Sequence, residues 1–187
     1  MIYLSQILEK WAELYKPLSH DPKKDSKAKA YYNIRTINND SEFVRNQNTA
    51  KSPCMAYSVL IDAQSTHAQN VSYAHTVYFL SRTVARSLAK NAKQSDDMGM
   101  DHNELMDSMV RALLAYLRQL KHTGKCPITG TPLDEPTRRA VMGLDLDKAE
   151  WASLPVKYAE WNVMALQIEQ NIQCSPCINP EDYNVKQ

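Results

Sequence analysis

The chain has 187 residues, of which 43% are hydrophobic and 23% charged, a composition typical of a globular protein with a sizeable core. Its net charge of +1 provides no overall field that would favour nucleic acid or an anionic membrane. With only four glycines, a Gly-rich phosphate-binding loop is disfavoured. The sequence contains neither the dinucleotide-binding motif GxGxxG nor the P-loop motif GxxxxGK(S/T). No apolar run approaches the roughly 20 residues of a membrane span.

The first segment predicts an amphipathic helix that ends near Pro17. Its apolar positions recur at helical spacing and lie opposite a charged face: Leu4, Ile7, Leu8, Trp11, Leu14 and Leu18. Glu9 and Glu13 interrupt the apolar pattern, so the segment does not have the form of a signal peptide. Four cysteines without such a signal indicate reduced thiols in a cytosolic setting.

The segment 20–30 (HDPKKDSKAKA) is charged, which favours a solvated loop over a basic contact with nucleic acid or an acidic partner. Tyr31 to Ile37 predicts a short strand, and Asp40 or Ser41 could cap a single helical turn after it.

Two longer runs, Met55 to Ala63 and Tyr73 to Arg82, predict strands that pair as a long antiparallel β-hairpin. The first run is apolar on both of its faces, so we expect both to be covered. The polar connection, Gln64 to Ser72, is the hairpin loop of this prediction.

A basic stripe and a long helix are predicted next. Arg82, Arg86, Lys90 and Lys93 fall at helical spacing and form either a solvated face or a phosphate contact. Asp101 and Glu104 form a capping-box pattern, which predicts a helix from about Asp101 to Leu120. Its apolar stripe is Leu105, Met106, Met109, Val110, Leu113, Leu114, Leu117 and Leu120, and Gly124 follows its end.

The remainder predicts an irregular insertion at about 125–156, containing one short strand or helix, and then a closing strand from Asn162 to Ile172. Met164, Leu166, Ile168 and Ile172 share one face of that strand. A polar tail, 179–187, is mobile or docked on a neighbour in this interpretation. The predicted fold is a single α+β domain: a small, twisted, mainly antiparallel sheet backed by the N-terminal helix and the long helix.

Four residues could form a tetrahedral zinc site, since thiolate and imidazole suit that ion: His122, Cys126, Cys174 and Cys177. The two pairs are further apart than in common zinc fingers, so a metal-free turn at the CSPC sequence is the preferred interpretation, and a redox motif is disfavoured because no helix follows. Cys54, at the head of a strand, is interpreted as a buried apolar group.

Other polar groups form no recognisable catalytic set, and we expect no enzyme activity and no cofactor. His67 and His75 flank the hairpin loop, and we interpret them as exposed loop residues rather than acid–base groups. Asp145, Asp147 and Glu150 could bind a hard cation, but a solvated turn is preferred because they lack EF-hand spacing.

Three stretches, in this order, resemble the tail-terminator and tail-completion proteins of tailed bacteriophages. They are YYNIRTINNDSEFV after the leading helix, SPCMAYSVLIDAQS with its partner HTVYFLSR, and the closing EWNVMALQIEQNIQC. The last piece is similar to versions from phages of Bacteroides-like hosts. The stretches cover about half of the chain, and the 125–156 insertion is longer than a compact terminator needs.

The resemblance implies a structural virion protein, assembled in the bacterial cytoplasm, that forms a homo-oligomeric ring at the head-proximal end of a tail or at the neck. Such rings, commonly hexamers, stop tube growth and join the tube to a head-completion or portal protein. The candidate contacts with neighbours are Gln64, Ser65, Thr66, His67, Asn70 and Tyr183, and the basic stripe is a candidate contact for passing DNA. Two alternatives remain open: a zinc-binding adaptor or enzyme that uses the four residues above, and an interaction module that forms no ring.

Overall fold

The computed structural model describes residues 2–23, 27–34, 50–62, 70–82, 93–154 and 161–173. Its helices are α1 (Ile2–Leu14), α2 (Lys93–Thr123) and α3 (Glu135–Met142), and its strands are β1 (Tyr31–Asn33), β2 (Cys54–Asp62), β3 (Asn70–Arg82), β4 (Leu144–Ser153) and β5 (Trp161–Gln173). The strands form one sheet in the order β1-β2-β3-β5-β4, in which only the β1–β2 pair is parallel among these strands. The predicted α+β class with a mainly antiparallel sheet is confirmed.

β2 and β3 pair antiparallel, as predicted, from Cys54 opposite Leu80 to Asp62 opposite Ser72. The connection is shorter than the predicted Gln64 to Ser72 loop, because β3 already begins at Asn70. β3 pairs with β2 on one side and with β5 on the other. Its first residues, from Asn70, are held in the strand by ladder hydrogen bonds to β5. Residues 63–69 lie outside the described part.

One face of the sheet carries the helices. Register places Tyr57, Val77 and Leu166 in one row of this face, and all three side chains are buried. α2 packs across β3, β5 and β4, and α1 reaches β1. The predicted stripe of α2 is confirmed, with Leu105 half-buried at its start. Its fully buried members are Met106, Met109, Val110, Leu113, Leu114, Leu117 and Leu120. Burial of one such leucine stabilises the fold by about 1.5–3 kcal/mol.

The opposite face is apolar at one end and polar at the other. Its buried end includes Cys54, Ala56, Leu80, Trp161, Val163 and Ala165. At the other end Gln167, Glu169 and Asn171 are exposed, and the Ser72 hydroxyl donates to Asn171 at 2.7 Å. The prediction that β2 is covered on both faces is therefore confirmed for residues 54–58, which are all buried.

α2 begins at Lys93, eight residues before the predicted cap at Asp101. The capping-box pattern at Asp101 and Glu104 therefore lies inside α2 and does not mark its start. The C-terminal prediction is confirmed: Gly124 has φ +65°, and its N–H donates to Leu120 O at 2.9 Å.

The segment predicted as an irregular insertion at 125–156 contains α3 and the ten-residue strand β4. Asp134 caps α3 by accepting from the Thr137 N–H at 2.8 Å. Asp145, Asp147 and Glu150, interpreted above as a solvated turn, lie on β4, where register shifts between Asp145 and Glu150. Such an irregularity lets a charged stretch stay in a strand, since its side chains face solvent at the sheet edge.

Candidate functional site

Most of the predicted contacts with neighbours fall outside the described residues. These are Gln64, Ser65, Thr66, His67, Tyr183 and the whole tail at 179–187. Asn70 is described, and it lies in the central strand β3, opposite Gln173 of β5, rather than in a loop.

The predicted basic stripe does not lie on a single helix. Arg82 ends β3, and its guanidinium lies 4.8 Å from the ring centroid of Trp161, which is a cation–π contact. Lys93 is the first residue of α2, and Arg86 and Lys90 lie outside the described part. The helical spacing was misleading at Arg82 because pairing with β5 keeps the chain extended there.

Only two of the four candidate zinc ligands, His122 and Cys126, lie within the described residues, and their environments differ. His122 is exposed on the last turn of α2, whereas Cys126 is buried in the following loop. Cys174 and Cys177 lie outside the described residues, among which no three His, Cys, Asp or Glu side chains are grouped to hold a metal ion. The zinc alternative thus stays a prediction.

Cys126 has an environment that the sequence did not indicate. Burial opposes ionisation of its thiol, but hydrogen bonds from Thr129 and from the backbone N–H groups of Ile128 and Thr129 outweigh it and lower the pKa of Cys126 to about 7. The Tyr116 hydroxyl lies 3.7 Å from Sγ and contributes to the same effect. The turn is closed by the Gly130 N–H, which donates to Cys126 O at 2.8 Å. A thiolate is therefore well populated at neutral pH.

This thiol lies in the wall of a cavity of about 330 Å³ between α1, α2 and the loop before α3. Its apolar lining comes mainly from Ile7, Leu14, Leu120 and Leu133. Lys10 is also in the lining, and its ammonium contacts Glu13 at 2.5 Å. The volume is at the small end of ligand pockets in proteins and would accommodate one large apolar side chain or a small apolar molecule.

His75 is buried, so the interpretation as an exposed loop residue is wrong. Its Nε2 lies 2.8 Å from Gln170 Oε1, and its Nδ1 lies 2.8 Å from the Tyr57 hydroxyl. Gln170 in turn donates its amide N–H to Ala140 O at 2.6 Å, which fixes the amide orientation. Nε2 of His75 therefore carries the proton, and Tyr57 donates to Nδ1. Burial lowers the pKa of His75, and the neutral ring joins three strands to α3.

His20 is also buried, which corrects the prediction of a wholly solvated loop at 20–30. Its Nδ1 accepts from the Ala30 N–H at 3.0 Å, so the two ends of the charged segment are held together. Its Nε2 lies 3.6 Å from Glu9 Oε1, too far for a direct hydrogen bond. Burial lowers the pKa of His20, and the neutral form is the one that this geometry favours.

The edge strand β4 is protected along only part of its length. Lys121 donates to Leu144 O at 2.7 Å, and Arg118 donates to Leu146 O at 3.2 Å. These two cations of α2 cap the outward carbonyls of the first half of the strand. Such capping is a common way to stop a sheet edge from pairing with another chain.

The second half of β4 has no comparable cap in the described part of the chain. The Trp151 indole donates to Asp107 at 2.8 Å, and Arg111 lies over its ring, so this side chain is anchored to α2. Ala152, Ser153 and Leu154 are exposed, and Leu154 is one of three large apolar residues described as exposed. Among the described residues no strand pairs with the outer side of this segment, and it is the candidate assembly surface.

No protein-family model matches this chain, and no curated protein matches its sequence. Within the described residues, no helix is long and apolar enough to cross a membrane.

Proposed function

We propose that the chain is a structural virion protein that assembles into a homo-oligomeric ring at the head-proximal end of a phage tail or at the neck. The ring ends the tail tube and joins it to a head-completion or portal protein. The order of predicted helices and strands along the sequence suggests this role. The structural observation that supports it best is the second half of β4, whose outer edge has no cap in the described part of the chain.

An assembly role fits the way the sheet edge is built. A strand with open N–H and C=O groups is a liability unless a partner covers it. Within the part of the chain that the structure describes, the side chains of α2 cap Leu144 and Leu146 and no later carbonyl of β4. A ring is built from such heterologous contacts, in which one surface of each copy meets a different surface of the next.

The buried polar groups also fit a structural role. His75 has both ring nitrogens within 2.8 Å of protein partners, and Gln170 is bonded to Ala140. Such a satisfied network fixes the relative positions of the sheet and α3, because each member would be costly to bury unpaired. A rigid sheet is what an edge-to-edge assembly requires.

The decisive experiment is a reconstruction of the particle that contains this chain, combined with negative-stain images of the purified protein at high concentration. We expect closed rings in the images and one ring of this chain at the junction of tail and head. A particle that lacks the chain there, or that carries it as an isolated monomer, would contradict the proposal.

A further inference from the structure

We infer that Cys126 is a modification site at which the chain accepts a small apolar thiol as a mixed disulfide, with the added group held in the cavity between α1, α2 and the loop before α3. The inference does not depend on the proposed ring. It joins two observations that an assembly role leaves unused, which are a nucleophilic sulfur and a cavity of about 330 Å³ whose wall contains that sulfur.

The loop that carries the sulfur is closed by backbone hydrogen bonds. The Cys126 N–H donates to Thr131 O, and the Gly130 N–H donates to Cys126 O, each at 2.8 Å. The Leu133 N–H donates to Gly124 O at 2.9 Å and closes the base of the same hairpin. The sulfur is therefore held in one position against the cavity, so that little ordering of the loop is needed when a ligand binds.

The protonation state of the sulfur is suited to exchange with a disulfide. Burial opposes ionisation of Cys126, but hydrogen bonds to the sulfur outweigh it and bring the pKa to about 7. An attacking thiol whose pKa lies near the ambient pH combines a substantial thiolate fraction with good nucleophilicity. Cys54 differs, because it is fully buried and burial raises the pKa of its thiol. Cys54 therefore provides an unreactive reference within the same chain.

Cys126 is accompanied by other polar groups of the cavity wall. The Tyr116 hydroxyl lies 3.7 Å from Sγ, and both Tyr116 and Lys10 belong to the lining. The hydrogen bond to Glu13 is the main cause of the raised pKa of Lys10, and the negative charge of the Cys126 thiolate contributes to it. A nearby cation favours a thiolate, and reactive cysteines are typically found in such partly buried, electropositive surroundings.

The walls of the cavity select the chemistry of the group on the sulfur. Ile7, Leu14, Leu120 and Leu133 supply an apolar lining. A charged group placed against it would lose hydration without gaining an ionic partner, whereas an apolar group gains by leaving water. The volume is at the small end of ligand pockets, which suits a short alkyl group or a single aromatic ring.

The reaction is a thiol–disulfide exchange. The Cys126 thiolate attacks one sulfur of a small apolar disulfide, R–S–S–R. The S–S bond of that disulfide breaks as the bond between Sγ and R–S forms, and the other half leaves as R–S⁻ and takes up a proton from water. The disulfide is the oxidant, so Cys126 is oxidised, the departing half is reduced, and no further reactant is needed. A reducing thiol reverses the step.

Two disulfides of equal chain length test the selection in the wild-type protein. Dipropyl disulfide delivers a propyl group, and cystamine delivers the same chain with an ammonium in place of the terminal methyl. Peptide mass spectrometry without reduction gives both rates at Cys126, and the same rates in urea give the intrinsic reactivity of the two reagents. We expect the ratio of the propyl rate to the aminoethyl rate to be several-fold higher in the folded protein than in urea, because only the folded chain has the apolar lining. Cys54 should remain unmodified in the folded protein.

A substitution on the exposed side of α1 tests whether the cavity holds the group. Gln6 is exposed and belongs to the lining, so Gln6→Phe should occupy part of the cavity without changing the core. We expect this variant to react several-fold more slowly with dipropyl disulfide, with an unchanged pH midpoint for ionisation of Cys126. Gln119→Phe places the same ring at an exposed position of α2 outside the lining, and this matched control should react like the wild type.

The stability of the product provides a readout that does not depend on a variant. The propyl adduct should unfold at a higher temperature than the unmodified protein, because its added group leaves water only in the folded state. The aminoethyl adduct should not show this increase. Thermal unfolding of the Gln6 and Gln119 variants also provides the check that both are folded.

Several results would overturn the inference. A Cys126 that is inert in the folded protein, or equal ratios of the two rates in folded protein and in urea, would show that the cavity neither admits nor selects an apolar group. Equal rates for Gln6→Phe and Gln119→Phe would place the added group outside the cavity. A propyl adduct that unfolds at a lower temperature than the unmodified protein would mean that the sulfur is reached by opening the core. None of these results bears on ring formation, so the proposed function would stand or fall separately.

Discussion

At the scale of single residues, two buried histidines make the fold sensitive to acid. Burial lowers the pKa of both His20 and His75, relative to about 6.5 in an unfolded chain. Between the lowered folded-state value and 6.5, the unfolded chain binds protons that the folded chain does not. The stability that the neutral rings contribute is therefore complete above about pH 6.5, and it decreases as the pH falls through this window.

We accordingly expect a lower free energy of unfolding at pH 5 than at pH 7.5, measured by urea titration. His75→Gln should show a smaller difference between the two pH values than the wild type. His122→Gln, which changes an exposed histidine of α2, is the control and should leave the difference unchanged. A wild-type stability that is flat across this range would contradict the role assigned to the buried rings.

The thiol of Cys126 provides a second test at this scale. Its pKa of about 7 predicts that alkylation by iodoacetamide rises with pH through a midpoint near 7. Thr129→Val removes a hydroxyl that bonds to the sulfur and should move this midpoint upward. Peptide mass spectrometry resolves Cys126 from the other cysteines, and Ser108→Ala on the exposed side of α2 is the control. A midpoint that is the same in the Thr129 and Ser108 variants would show that these hydrogen bonds do not set the ionisation.

At the scale of elements, α2 holds the helical layer on the sheet. Leu113 is fully buried in its apolar stripe, so Leu113→Ala should lower the free energy of unfolding by about 2–5 kcal/mol through lost transfer energy and a cavity. Ala115→Ser, two positions along on the exposed side, should change it by less than about 0.5 kcal/mol. Equal effects of the two substitutions would mean that the stripe is misplaced.

The turn between α3 and β4 depends on Gly143 for space. A Cβ atom at this position would lie 2.6 Å from Asn171 O, a backbone atom of β5 that cannot move independently. Gly143→Ala should therefore destabilise the protein by about 1–3 kcal/mol, the range typical of overpacking, and loosen the start of β4. Met142→Ala, at the exposed neighbouring position, is the control, and hydrogen exchange of the β4 amides provides the local readout. Protection of β4 that is unchanged in Gly143→Ala would contradict this account.

The elements that could be predicted from sequence are those whose pattern is local. The stripe of α2 and the two-sided burial of β2 follow from spacing alone, and both were found. β4 was missed because its LDLDKAEWAS sequence becomes a strand through pairing with β5, which is a non-local interaction. His75 was misplaced for the same reason, since Gln170, its partner, lies 95 positions away along the chain. The pKa of Cys126 likewise depends on a turn geometry that residue types do not reveal.

At the scale of the whole molecule, the sheet is asymmetric in both cover and charge. One face carries α1, α2 and α3, and the acidic edge β4 lies at the opposite end from the lysine-rich approach to β1. The two edges of the sheet therefore differ from each other. Identical copies can therefore follow one another in a single sense, which is the property that a ring of heterologous contacts needs.

This asymmetry predicts that self-association of the wild type weakens as salt is added. The exposed charges at the two ends of the sheet include Asp147, Glu150, Lys23 and Lys27. Attraction between such groups is screened over about 10 Å at 0.1 M salt and over about 3 Å at 1 M. Sedimentation velocity between these two salt concentrations should show a several-fold rise in the dissociation constant. The double variant Asp147→Asn/Glu150→Gln should associate more weakly at low salt and lose most of this salt dependence. Association that strengthens with salt in the wild type would instead indicate an apolar contact, and the exposed Leu154, Met142 and Ile128 would then be the residues to replace.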